Sequence, residues 1–226
     1  MEASETPRVK ICCIQNVQEA WLALRYGASA LGLVSAMPSG PGVIAEEQIA
    51  QIAAQIPPSV GSFLLTSSQQ SATIIAQQRR CGVNTIQLVD SIPLEDYAAL
   101  RATLPGISLV QVIHVVGEES LAEARTVAPH VNGLLLDSGN PALPVKELGG
   151  TGRQHDWSIS AAIREAVDVP VFLAGGLKPD NIRQAIEQVR PFGVDVCSGV
   201  RTDGVLDEAK LAAFFANIAL AKAPKV

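Results

Sequence analysis

The stretch Val169–Val200, VPVFLAGGLKPDNIRQAIEQVRPFGVDVCSGV, places two strand-then-glycine units around one helix. Val171-Phe172-Leu173 is short and apolar and runs into Gly175-Gly176, after which Pro179 and Asn181 open a helix. Ile182, Ala185, Ile186 and Val189 recur at helical spacing and mark its buried face. Gly193–Cys197 reads as the next strand, leading into Ser198-Gly199. Two neighbouring parallel strands that both end in glycine present backbone N–H groups on one rim. That arrangement suits an anion, a phosphate above all.

Working outward, the same unit recurs. Apolar strands are expected at 9–13, 29–35, 60–65, 84–89, 107–115 and 132–137, ahead of the two just described, and each is followed by a helical period. Eight such units with no break for a second domain predict an α/β fold, a single (β/α)8 barrel over 1–226 with residues 1–8 as a flexible N-terminal extension. The alternative is an open doubly wound sheet. It would need eight strands in one sheet, and no GxGxxG follows the first strand. In a barrel, functional residues lie at the C-terminal ends of strands: Cys12, Ser35, Val89, His114, Asp137 and the glycine rims. A gap of roughly 20 residues between Asp137 and Trp157, rich in glycine and proline, reads as an active-site cover.

Composition narrows the partners. A formal charge of -5 speaks against nucleic acid or an anionic membrane, and no apolar run reaches the roughly 18 to 20 residues of a membrane span. The polar start MEASETPRVK lacks the apolar segment of a signal peptide. Cys12, Cys13, Cys81 and Cys197 form no CxxC pair and have no histidine at metal-ligand spacing. Neither a metal site nor a disulfide framework is expected, and the cytoplasm is the natural setting. Cys12 and Cys13, adjacent on a strand, should point to opposite faces.

Two residues could carry proton transfer. Asp137 ends the apolar strand LLLD; it is either a turn cap or a partly desolvated acid at the barrel mouth. Cys12 is either a small core filler or a thiolate base, and Lys10, two residues earlier on the same face, could support the charged form. His155 is expected to be solvent-exposed, and Trp21 and Trp157 to pack. Read from the residues alone, the chain has a phosphate site in a barrel, one candidate acid and one candidate base.

KIC at 10–12, LLLD at 134–137, GGTG at 149–152 with DW at 156–157, LAGGLKPDN at 173–181 and VDVCSGV at 194–200 together resemble the phosphoribosylanthranilate isomerase family. The resemblance runs in order from Val9 to about Ile218. It implies an Amadori rearrangement of N-(5-phosphoribosyl)anthranilate to 1-(2-carboxyphenylamino)-1-deoxyribulose 5-phosphate in tryptophan biosynthesis. It also implies an anionic phosphosugar partner, no cofactor or metal, and a monomer or homodimer. By position, Cys12 matches the family's general base and Asp137 its general acid. Gly175, Gly176, Ser198 and Gly199 match its phosphate-binding turns, and Gly149, Gly150, Thr151 and Gly152 its mobile loop.

Departures fall at the other end of the substrate. Cys13 stands where the family has glycine, and Gly42 where it has an arginine that holds the anthranilate carboxylate. Val89-Asp90 replaces His-Gly, His114 replaces an arginine late in strand five, and Arg201 replaces a glutamate. Three accounts follow from the resemblance: an isomerase whose carboxylate contact comes from Arg201 or His114, an isomerase of a different phosphoribosylamine, or a non-catalytic sugar-phosphate binder.

Overall fold

The computed structural model describes residues 6–150 and 152–221, so the expected loop residue Thr151 lies outside the described residues, as do residues 1–5 of the expected N-terminal extension. Eight parallel strands close into a barrel: β1 Arg8–Ile11, β2 Ala30–Val34, β3 Gly61–Thr66, β4 Thr85–Leu88, β5 Ser108–His114, β6 Gly133–Asp137, β7 Val171–Leu173 and β8 Gly193–Val196. Closure runs through β8 and β1, paired from Arg8 with Gly193 to Ile11 with Val196. Arg8, expected in the extension, is therefore already part of the barrel.

Helices α1 Val17–Arg25, α2 Glu46–Ala53, α3 Ser71–Cys81, α4 Leu94–Thr103, α5 Glu119–Val127, α6 Trp157–Ala166, α7 Ile182–Val189 and α8 Glu208–Leu220 alternate with the strands. After β8 a 3-10 turn, Ser198–Val200, leads into a small antiparallel ribbon of β9 Arg201–Thr202 and β10 Val205–Leu206. The open-sheet alternative is excluded.

The period of two along each strand divides the apolar residues into two cores. One face sends Ile11, Leu33, Leu64, Ile86, Ile113, Leu136 and Val194 outward against the helices. The other sends Ala30, Val34, Phe63, Leu65, Val110, Val112, Leu135 and Phe172 into the barrel. Helix α7 buries Ile182, Ala185, Ile186 and Val189, as its spacing predicts. Trp157 is buried, but Trp21 lies on the exposed side of α1. The barrel floor is aromatic, with Phe172 edge-on to Phe63 at 6.0 Å and to Phe192 at 5.4 Å. Above it the interior becomes polar: Lys10, fully buried, pairs with Asp195 at 2.9 Å.

Candidate active site

A cleft opens at the C-terminal ends of the strands. Cys12, Asp137, Gly149, Gly150, Gly152, Gly175, Gly176 and Ser198, all singled out in the sequence, line it. Cys12 follows directly on β1 and is buried. Gly32 faces it inside the barrel: a Cβ there would lie 2.7 Å from Cys12 Sγ and 3.0 Å from Lys10 Nζ, which places thiol and ammonium around one spot. The adjacent Cys13 thiol draws the Cys12 thiol below its ordinary value against the opposing effect of burial, and Lys10 adds to the shift. Lys10 itself stays protonated, because Asp195 outweighs the burial that would discharge it.

Cys13 does not take the opposite face from Cys12. Its φ of +62° is left-handed, so the strand alternation breaks and both thiols reach the cleft. Cys13 Sγ lies 2.7 Å from Cys197 Sγ and 3.6 Å from Pro41 O. Its thiol is pushed well above the ordinary range by its hydrogen bonds to Cys12 and Cys197, with burial acting in the same direction. The side chain also settles what position 42 can be. Gly42 has φ +79°, and a Cβ there would fall 2.4 Å from Cys13 Cβ. The two departures, glycine to Cys13 and arginine to Gly42, occupy one volume.

Asp137 ends β6 half-buried, its Oδ1 accepting from Ser138 N–H at 2.7 Å. Gly175 adjoins it: a Cβ there would lie 3.2 Å from Asp137 Oδ1, 3.1 Å from Ser138 Oγ and 3.0 Å from His155 Nδ1. His155 is therefore half-buried, with its Nδ1 turned in beside Gly175. Its Nε2 meets Ser160 Oγ at 2.7 Å, and burial lowers its pKa despite Asp137 and Asp156.

On the adjoining β7–β8 rim, Gly175 and Gly176 both have positive φ (+79° and +64°), and among the described residues no acceptor takes up their N–H groups or that of Ser198. Gly199 stands behind that rim and does not line the cleft; a Cβ there would strike Leu177 O at 1.9 Å. Two loops meet over the mouth. Ser39 Oγ donates to Lys146 O at 2.6 Å, and Lys146 Nζ reaches Asp90 Oδ2 at 2.5 Å, which ties the long β6–α6 loop to the end of β4.

Both expected carboxylate partners are placed elsewhere. Arg201 is buried and turned away from the cleft: it meets both oxygens of Glu19 at 2.9 and 3.0 Å, Cys12 O at 3.3 Å and Cys13 O at 2.6 Å. With both terminal nitrogens engaged, the guanidinium props the β1 turn and has no fork left for a ligand. His114 points inward from β5, but its Nε2 is held by Val89 O at 2.9 Å and its Nδ1 is shielded by Gly139, so it does not line the cleft. Among the described residues the cleft wall carries no lysine, arginine or histidine. Ser35 is structural, bonded to Leu65 O at 2.7 Å.

The sequence reading missed Gln87. It is 3% exposed, lines the cleft, and has an Oε1 with no partner among the described residues. A polar residue at an interior position of β4 was the available signal. Val34, Met37, Leu65, Val89 and Leu148 make the cleft's apolar wall. Among the described residues no group of three or more His, Cys, Asp or Glu side chains could hold a metal ion, and no helix is long and apolar enough to cross a membrane.

The sequence model of the family described as N-(5'phosphoribosyl)anthranilate (PRA) isomerase matches residues 9–217. An N-(5'-phosphoribosyl)anthranilate isomerase of Haloferax volcanii is 36% identical over 211 residues, 92% of this chain and 91% of the relative. Isomerase 2 of Methanosarcina mazei is 34% identical over 209 residues, 92% of each chain. Among solved structures, the phosphoribosyl anthranilate isomerase of Thermotoga maritima superposes with a TM-score of 0.81 at 30% identity, over 94% of this chain and 98% of that one. A phosphoribosyl anthranilate isomerase crystallised with reduced 1-(o-carboxyphenylamino)-1-deoxyribulose 5-phosphate gives a TM-score of 0.79 at 28% identity, with the same coverage. The chain belongs to the N-(5'-phosphoribosyl)anthranilate isomerase family.

Proposed function

We propose that this chain converts N-(5-phosphoribosyl)anthranilate to 1-(2-carboxyphenylamino)-1-deoxyribulose 5-phosphate, with Asp137 as general acid and Cys12 as general base. The observation that carries the reading is their placement. Cys12 and Asp137 line one cleft together with the backbone of Gly175, Gly176 and Ser198, whose N–H groups have no acceptor among the described residues. The substrate phosphate binds at those N–H groups, with Gly199 packed behind them, and fixes the ribose between the two side chains.

Asp137 gives its proton to the ribose ring oxygen; the C1–O bond breaks and the amine nitrogen's lone pair closes a Schiff base. Cys12, its thiol drawn down by Cys13 and Lys10, removes the proton from C2. The C2–H electrons form the enolamine, which tautomerises to the ketone without net gain or loss of electrons. Gly149, Gly150 and Gly152 cover the reacting carbon and exclude water. The apolar wall from Val34 to Leu148 takes the aryl ring, and Gln87 hydrogen-bonds the sugar through its free Oε1. With glycine at position 42 and Arg201 turned to Glu19, the aryl carboxylate is met by neutral groups of the cleft wall. A second reading, an amine substrate without that carboxylate, draws on the cation-free wall.

Cys12 and Asp137 reach the same cleft within one copy of the chain, which we read as acting as a monomer or a homodimer. Free thiols suit a reducing compartment, and we place the reaction in the cytoplasm. The test follows loss of substrate fluorescence on freshly made phosphoribosylanthranilate. Asp137→Asn should lower kcat by roughly 10² or more while affinity for a reduced ribulose-phosphate analogue is kept. Full turnover by Asp137→Asn sinks the assignment. Turnover of other phosphoribosylamines in preference to this one selects the second reading.

A further inference from the structure

Three thiols meet where β1 and β8 end, and the acid–base chemistry uses one of them directly. Cys12 Sγ faces Gly32 and Lys10 on the β2 side, whereas Cys13 Sγ is turned to Cys197 Sγ, 2.7 Å away. A sulfur–sulfur bond is about 2.05 Å long, so closure needs a shift of well under one ångström. The strands that carry the two cysteines are hydrogen-bonded neighbours, with Ile11 paired to Val196. Cys197 is part-exposed on the cleft wall, and Cys13 is buried beside it. The left-handed backbone of Cys13 is what brings the pair together.

We propose that Cys13 and Cys197 are a reversible dithiol–disulfide pair, closed by a hydroperoxide, and that closing it withdraws the Cys13 thiol from Cys12. The second half rests on the reading of Cys12 as the base. In the first step the Cys197 sulfur attacks the peroxide oxygen and the O–O bond breaks. This leaves Cys197 as sulfenic acid and releases the hydroperoxide's other half as an alcohol, or as water from hydrogen peroxide. The Cys13 sulfur then attacks the sulfenic sulfur, the S–O bond breaks, and the oxygen departs as water carrying the Cys13 proton. Two thiols lose two hydrogens and two electrons, and the peroxide gains them. A small thiol reverses the bond by exchange. While the bond is closed Cys13 has no S–H to donate, so Cys12 keeps Lys10 as support and loses its strongest one.

The test treats the folded full-length chain with one equivalent of hydrogen peroxide, blocks remaining thiols and maps linked peptides by mass spectrometry without reduction. A Cys13–Cys197 link lighter by two hydrogens, reversed by dithiothreitol, is expected. The buried Cys81→Ala control should give the same link; Cys197→Ser and Cys13→Gly should give none. Iodoacetamide should then modify Cys12 about tenfold more slowly at neutral pH in the linked protein, because less of the thiol is ionised. No link in the folded wild type, or a Cys12–Cys13 link in its place, overturns the proposal, as does a Cys12 alkylation rate unmoved by the link. Full turnover by Cys12→Ser would remove the base assignment alone, because the linkage map does not depend on it.

Discussion

The β7–β8 rim and the β1–β2 rim face one cleft and are built from different material. At β7–β8 the working surface is backbone: Gly175 and Gly176 in left-handed conformations, and Gly199 pressed onto Leu177 O. At Gly176 and Gly199 an added methyl group would meet main-chain atoms, so neither can change without moving the backbone. At β1–β2 the surface is side chain. Cys13 sits in a conformation that favours glycine and fills the volume beside Gly42, while Arg201 beneath it ties Glu19 to the Cys12 and Cys13 carbonyls. A backbone rim can only be kept, whereas a side-chain rim can be exchanged if neighbouring positions change together. The glycine turns at 175–176 and 199 belong to the first kind, and positions 13 and 42 to the second.

The largest expected effect comes from breaking the support under the β1 rim. Arg201→Ala leaves the buried Glu19 carboxylate unpaired and should cost about 3 kcal/mol or more of stability in denaturant titration. Its pH signature is directional. Burial pushes the Glu19 carboxyl up, but Arg201 and the Leu206 N–H outweigh it and hold it below its ordinary 4.5. A depressed folded value contributes stability at neutral pH and loses it as pH falls from about 4.5 through the folded value. The wild type should therefore show that acid loss, and Arg201→Ala should show a flatter profile.

The β8 rim is broken by Gly199→Ala. Its Cβ meets the Leu177 carbonyl, so the rim must shift, at a cost of about 1–3 kcal/mol. Affinity for a ribulose-phosphate analogue should fall with it; unchanged affinity would mean that this turn does not hold the phosphate.

Cys13→Gly is the smallest change and sharpens the contrast. Relief of a left-handed non-glycine backbone should stabilise the chain by about 1 kcal/mol, read as a raised Tm. Gly42→Ala should cost less in the Cys13→Gly background than in wild type, because the two positions share space. Additive effects would uncouple them.

Legibility in the sequence followed the same division. The barrel was readable because each strand and helix declares its period locally, and the glycine turns, LLLD and Cys12 mark strand ends that topology carries to one mouth. What escaped depends on residues distant in sequence. Cys13 was assigned to the opposite face because alternation assumes a continuing strand, and its φ is fixed by packing against Pro41, Gly42 and Cys197. Arg201 was offered to the substrate because its partner, Glu19, lies 182 positions away. His155 was read as solvent-facing because its neighbours are polar, yet the loop carries it to Gly175 beside Asp137.

The most direct test of the account is kcat on phosphoribosylanthranilate for Cys12→Ser beside wild type, with thermal melting to show both are folded. A serine hydroxyl at that position cannot act as the base a lowered thiol provides, so kcat should fall by roughly 10² or more with KM little changed. A kcat equal to wild type in the folded variant would contradict the central claim.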